Sequence, residues 1–174
     1  SYMIVNKITD LIGKTPLLRI KMKNNKWQVY LKLEKFNPGG SMKDRMAYNM
    51  IEMAEKEGKL KPGGTIIESS SGNTAIGLAI ASAIKGYKFF AVVDHHASKE
   101  KIDMIKAYGG QIVIVGDGYK DNEVAVVERE KTAAKMSKEI PNSFFPNQAD
   151  NYNNRGAYID TLAKELLDEL GKID

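Results

Sequence analysis

The sequence has no cysteine, which excludes disulfides, thiolate nucleophiles and sulfur-ligated zinc sites. Histidine is almost missing too, with His95 and His96 the only two. A Ser-His-Asp hydrolase is therefore disfavoured, and no metal is expected because a multi-histidine site has almost no ligands to draw on. Long hydrophobic runs are absent. The longest, such as residues 89–93, are strand-sized and far below the roughly 20 apolar residues of a bilayer span. Charge of one sign is not concentrated anywhere. The net charge is +4, yet lysines and arginines alternate with acids, as in Ala54-Glu55-Lys56-Glu57 and Glu128-Arg129-Glu130-Lys131. That pattern describes solvated helix faces, not a nucleic-acid or membrane-binding stripe. The basic, apolar, small-residue order of a signal peptide is not seen ahead of Met3, and a cytoplasmic location is expected.

What is present is a soluble α/β composition, 43% hydrophobic and 28% charged over 174 residues. Periodicity predicts a short helix over 4–12 and an extended segment over 16–20. A strand over 27–35 and a helix over 41–57 come next. Further on, short apolar strands at 65–68, 87–93, 111–115 and 144–145 alternate with helices at 73–84, 98–108, 122–140 and 153–170. Residues 117–122 read as an exposed loop. Strands without polar alternation, separated by helices, imply a parallel sheet covered on both faces, the doubly wound arrangement. Met42, Met46, Met50 and Met53 recur at helical spacing and read as core.

In such sheets ligands bind beyond the carboxyl ends of the strands, so the loops entering helices carry the chemistry. Two of these loops are unusual. In Asn37-Pro38-Gly39-Gly40-Ser41-Met42-Lys43-Asp44-Arg45, Ser41 is placed to cap the following helix and Asp44 to complete a capping box. Lys43 then falls in the first turn, where the helix field opposes a second positive charge; a lysine is a poor choice there for stability and a candidate amine nucleophile. The alternative is a lysine that bends into water. The other loop, Ser69-Ser70-Ser71-Gly72-Asn73-Thr74, offers hydroxyls and backbone N–H groups at a helix entrance. It suits a carboxylate or phosphate, or is simply a generous cap. It is neither a Walker loop nor a Gly-x-Gly-x-x-Gly fingerprint. Asp94-His95-His96 reads as a surface loop whose histidines point in different directions.

Five stretches occur in the order and spacing of one family: Gly13-x-Thr15-Pro16-Leu17, Lys32-Leu33-Glu34, the Lys43 loop, Ser70-Ser71-Gly72-Asn73-Thr74 and Asn147-Gln148. The chain resembles the N-terminal half of pyridoxal-phosphate enzymes of the tryptophan-synthase β-subunit fold, in the cysteine synthase and cystathionine β-synthase branch. The resemblance implies that Lys43 forms the Schiff base with pyridoxal 5'-phosphate and moves the Cα proton, and that Asn73 bonds the cofactor's ring oxygen. It further implies that Ser70, Ser71, Gly72, Asn73, Thr74 and Gln148 hold the substrate α-carboxylate. Residues 1–40 would be the N-terminal part of a large domain. Residues 41–148 would form a small α/β domain, and 149–174 the start of the remainder.

Where the family usually carries a histidine and a Thr-Gly-Pro or Thr-Glu run, this chain has Tyr158 and Thr161-Leu162-Ala163-Lys164-Glu165. The family's phosphate loop and the group facing its pyridine nitrogen are expected beyond Asp174, so this half alone is expected to be inactive. The implied activity is β-replacement on serine or an activated serine with a thiol or sulfide, by a protein that is a homodimer in its full-length form. Two alternatives remain: a cysteine desulfhydrase or lyase releasing sulfide, and a non-catalytic half-domain or interaction module.

Overall fold

The computed structural model describes residues 3–23, 27–70, 72–116, 122–148 and 156–173. Its centre is a four-stranded parallel sheet of β3 (Thr65–Glu68), β4 (Lys88–Val93), β5 (Gln111–Ile114) and β6 (Ser143–Phe144). β3 is buried along its whole length, and its side chains alternate between two apolar faces. Ile66 joins Met46, Met50, Leu78, Ile80 and Phe89 on one face, while Ile67 meets Val92 and Ala133 on the other. Each such isoleucine contributes about 1.5–3 kcal/mol of burial. Both faces of the middle of β3 are apolar, which is why it reads Ile-Ile with no alternation, while its buried polar residues, Thr65 and Glu68, stand at its two ends.

Helices α1 (Lys43–Lys56), α2 (Asn73–Lys85) and α3 (Lys99–Ala107) supply the first apolar face, and α4 (Asn122–Glu139) supplies the second. α2 is apolar nearly all round, with Thr74 to Ser82 buried without a break, because α1 and the sheet enclose it. It ends at Gly86, whose φ of 79° places it in the left-handed region that a glycine adopts without a Cβ penalty. Met46 and Met50 are core, as their spacing predicts. Met53 is half-buried and Met42, at 38% exposed, faces outward.

The strand order is β5-β4-β3-β6. The chain steps outward from β3 to β4 to β5, then α4 crosses back and β6 pairs on the other side of β3. The order therefore reverses between β3 and β6, and the crevice beyond their carboxyl ends is the expected ligand position of an open α/β sheet.

The strand predicted over 27–35 is shorter, and it lies outside the parallel sheet: β2 (Val29–Lys32) forms an antiparallel ribbon with β1 (Leu17–Ile20). Alternation marked it as a strand but carried no information about its partner. The predicted first helix is a single 3₁₀ turn, Ile8–Leu11. At the C-terminal end a π-helical stretch, Tyr158–Ala163, runs into α5 (Lys164–Leu170). The loop predicted at 117–122 falls, but for Asn122, outside the described residues, as does the start of the helix predicted from Asn153.

Candidate active site

The site is built from the entrances of α1 and α2 and the segment leaving β6. At the α1 entrance Ser41 Oγ accepts the Lys43 N–H at 3.1 Å, but the capping box predicted from Ser41 and Asp44 does not form. Asp44 reaches back two residues further, and its Oδ2 accepts the Gly39 N–H at 2.5 Å. A Cβ on Gly39 would sit 2.2 Å from Asp44 Oδ1, so a glycine is required there. Burial pushes the Asp44 carboxyl up to about 6, against the Gly39 hydrogen bond and with the nearby Glu34 charge adding to it. Its other oxygen is buried without a partner. Lys43 is half-buried, and its amine makes no hydrogen bond or ion pair among the described residues.

α1 packs on α2 through Gly77. A Cβ there would lie 2.9 Å from Ala47 Cβ and 3.2 Å from Asp44 Cα, so the missing side chain lets the two helices close. This brings the lysine-bearing first turn of α1 against the first turns of α2, one turn from Asn73. The α2 entrance is open. Gly72 stands at its N-cap position with no side-chain cap, and Asn73 is exposed. Among the described residues the first N–H groups of α2 have no side-chain acceptor, which makes this end a natural anion position. Ser70 Oγ accepts the Gly72 N–H at 3.2 Å and shapes the loop rather than capping the helix.

Gln148 joins the same ledge from the far side of β3. The Thr74 hydroxyl donates to Gln148 Oε1 at 3.1 Å, although 74 residues separate the two. Glu68, the last residue of β3, accepts the Ser69 N–H at 2.8 Å and the Gln148 N–H at 3.2 Å. Burial raises its carboxyl to about 7, against three backbone hydrogen bonds from Ser69, Gln148 and Asn147. The structure thus brings Ser70, Gly72, Asn73, Thr74 and Gln148 to one ledge, with the Lys43-bearing turn of α1 packed against the same helix at Gly77. Ser71 lies outside the described residues. Glu68 escaped the sequence reading; its only signal was a charge at the end of an otherwise apolar strand.

Three of the quoted stretches converge elsewhere, on Arg45. Its buried guanidinium donates to Glu34 at 2.7 and 3.1 Å, to Glu165 of α5 at 2.5 and 2.9 Å, and to Thr15 Oγ1 at 3.3 Å. Lys32 Nζ reaches the Thr15 carbonyl at 2.7 Å and both Glu165 and Glu169 at 3.1 Å. Burial alone would raise the Glu165 carboxyl, but Arg45, the Lys14 N–H and Lys32 hold it at about 2. A cleft of about 470 Å³ lies beside this cluster, between Arg45, Tyr48, Asn49 and Glu165, and is not lined by Lys43 or the α2 entrance. The ledge is the better candidate on chemistry: it has a free amine and open N–H donors, whereas the cleft's charges neutralise one another.

The Asp94 loop differs from expectation. The His95 and His96 rings lie side by side, 4.0 Å apart, instead of pointing apart, and with Asp94 they bring three potential ligand atoms within 4.8 Å. Asp94 is already engaged, accepting the His96 N–H at 2.8 Å and pairing with Arg129 at 3.1 Å. That arrangement orders the turn before α3.

The comparisons agree with the geometry. Residues 8–174 match the family model described as pyridoxal-phosphate dependent enzyme. A probable cysteine synthase of Bacillus subtilis is 46% identical over 174 residues, covering 97% of this chain and 54% of that protein. A hydrogen sulfide-producing enzyme from Fusobacterium nucleatum superposes with a TM-score of 0.86 at 40% identity, covering 98% of this chain and 54% of that one. An O-acetylserine dependent cystathionine beta-synthase from Helicobacter pylori gives 0.87 at 34% identity, with 98% and 55% covered. The chain spans about half the length of these relatives. The donor set fits the family's cofactor: a half-buried amine with no partner among the described residues is carried on the turn of α1 that packs on α2, and α2 opens with an exposed asparagine. The chain belongs to the pyridoxal-phosphate-dependent enzymes, in a fold shared with solved enzymes of cysteine metabolism.

Proposed function

We propose that this chain supplies the cofactor lysine and the substrate-carboxylate ledge of an enzyme that performs β-replacement on serine or an activated serine, with a thiol or sulfide as second substrate. The observation that supports the reading is the Gly77 contact, which packs the first turn of α1, where Lys43 stands, against α2. When bound, pyridoxal phosphate supplies an aldehyde for an amine to condense with and an electron-withdrawing ring for charge developing at the substrate Cα. Lys43 would hold it through Nζ and Asn73 through its side-chain amide. Lys43 Nζ would also be the group that takes and returns the substrate Cα proton.

Ser70, Ser71, Gly72, Thr74 and Gln148 would fix the amino acid through its carboxylate, which orients Cα and converts a bimolecular encounter into an ordered one. Closure of residues 41–148 over an amino acid held on the ledge would exclude water. The pieces before 41 and after 148 would belong to one larger domain, a reading supported by the Lys32 ion pairs with Glu165 and Glu169 of α5. In the full-length protein we expect a cytoplasmic homodimer, and the 174 residues alone are expected to hold the cofactor without turning over. A sulfide-releasing lyase is the second reading, favoured by the likeness to the sulfide-producing enzyme of Fusobacterium nucleatum.

Borohydride trapping with pyridoxal phosphate, followed by peptide mapping, tests the assignment. Stoichiometric labelling at Lys43, lost in Lys43→Ala, is expected. Labelling scattered over surface lysines sinks it and leaves the chain as a non-catalytic module. In the full-length protein, sulfide release without a second substrate would replace the synthase reading by the lyase.

A further inference from the structure

β6 pairs with β3 over only two residues, Thr65 with Ser143 and Ile66 with Phe144. Among the described residues the β3–β6 ladder ends at Phe144, and at Asn147 the backbone turns through the left-handed region, with φ of 48°. The segment carrying Gln148 is therefore not fixed by the sheet. The loop that follows β3 leads into α2, whose N-cap position is Gly72 and offers no side-chain cap. Between them stands Glu68, 1% exposed. One carboxylate oxygen takes the Ser69 N–H and the other the Gln148 N–H, with the Asn147 N–H also bonded to the same group.

We infer that Glu68 is the positioning residue of the carboxylate ledge: its buried side chain replaces the missing β3–β6 ladder and sets the spacing between the α2 entrance and Gln148. This rests on the reading of the ledge as the amino-acid carboxylate site. In its ionised form the Glu68 side chain suits the task because it only accepts, and its two oxygens bond Ser69 and Gln148 at once. The Thr74–Gln148 hydrogen bond is then a consequence of the spacing. A glutamine in place of Glu68 would offer one accepting oxygen and turn an NH₂ toward an N–H donor, so one segment would be released at almost constant volume.

The test compares Glu68→Gln and Glu68→Asp with the unaltered chain by amide hydrogen exchange, without cofactor, and by titration with L-serine after loading with pyridoxal phosphate. Glu68→Gln should speed exchange at Asn147 and Gln148 by about 10-fold, with β4 and the body of α2 unchanged. Glu68→Asp, one methylene shorter, should keep the adjacent Ser69 amide protected and lose the other two. L-serine affinity should fall by about 10-fold in both, while pyridoxal-phosphate affinity stays within about two-fold. If Glu68→Gln does not fold, Glu68→Asp decides alone. Exchange and affinity both within two-fold of the unaltered chain would overturn the inference. Faster exchange at 147–148 with unchanged L-serine affinity would show that Glu68 holds the segment but that no amino acid touches it, and this also overturns it. Absence of L-serine binding in the unaltered chain would instead remove the carboxylate-site reading on which it rests.

Discussion

Replacing Arg45 by methionine isolates the largest electrostatic commitment of the fold. The guanidinium is buried and neutralises two carboxylates, Glu34 and Glu165, whose side chains are 15% and 20% exposed. Methionine fills much of the volume, so the loss is electrostatic rather than a cavity. Removing one partner of a buried ionic cluster costs about 3–5 kcal/mol, because the remaining charges are left desolvated. Here Lys32 still pairs with Glu165 at 3.1 Å and solvent reaches both acids in part, which places the expected loss near about 3 kcal/mol. For a chain of this size that is a fall of about 6–12 °C in melting temperature.

The pH dependence separates this cause from a packing defect. Glu165 is held at about 2 against an ordinary 4.5, so it contributes stability that is complete above 4.5 and disappears as pH falls through 2. In Arg45→Met that contribution is gone at neutral pH already. The deficit relative to the unaltered chain should therefore shrink between pH 5 and pH 2.5. Urea unfolding at pH 7 and pH 3 is the assay, with Arg45→Met/Glu165→Gln recovering part of the loss. A deficit under about 1 kcal/mol, or one of equal size at both pH values, refutes the reasoning.

Lys43→Ala should leave urea stability within about 0.5 kcal/mol, since its amine has no partner to lose; a larger fall would reveal a structural role for the lysine. Gly77→Ala gains helix propensity but drives a methyl to 2.9 Å from Ala47 Cβ. A net loss of about 1–3 kcal/mol and weaker borohydride labelling at Lys43 are expected, and a stabilised variant would contradict the close packing of α1 on α2. The Asp44 carboxyl is raised by burial to about 6 from 3.8, with Glu34 adding to the shift. Its neutral form favours the fold fully below 3.8, and this is lost as pH rises through 6. Asp44→Asn should thus gain about 1–3 kcal/mol relative to the unaltered chain between pH 4 and pH 8, and pH-independent stability differences would show that Asp44 is not protonated in the fold. Glu68→Gln completes the set, read by amide exchange as described above.

Local signals carried much of the fold. The apolar runs at 65–68 and 88–93 are buried β3 and β4, and the glycine after 84–85 ends α2, because burial on both strand faces and left-handed caps leave a composition that short windows detect. The same windows misplace what depends on a partner. Asp44 fits the spacing of a capping box, yet its carboxylate goes to Gly39, where burial and the turn at residues 39–40 put an N–H. Alternation marked β2 as a strand but not as half of an antiparallel ribbon.

By itself the sequence determined the chemistry on offer: a lysine and a serine-rich loop at two helix entrances, no thiol, and almost no histidine, since residue types and spacings of three or four are local properties of the chain. Only the tertiary structure decided which of these groups meet. The reversal of strand order between β3 and β6 brings Gln148 to Thr74, the bare Cα of Gly77 sets Lys43 beside α2, and Arg45 gathers Thr15, Glu34 and Glu165. Pairings across 74 or 120 residues are selected by packing and charge neutralisation in the assembled core, and no local pattern encodes them.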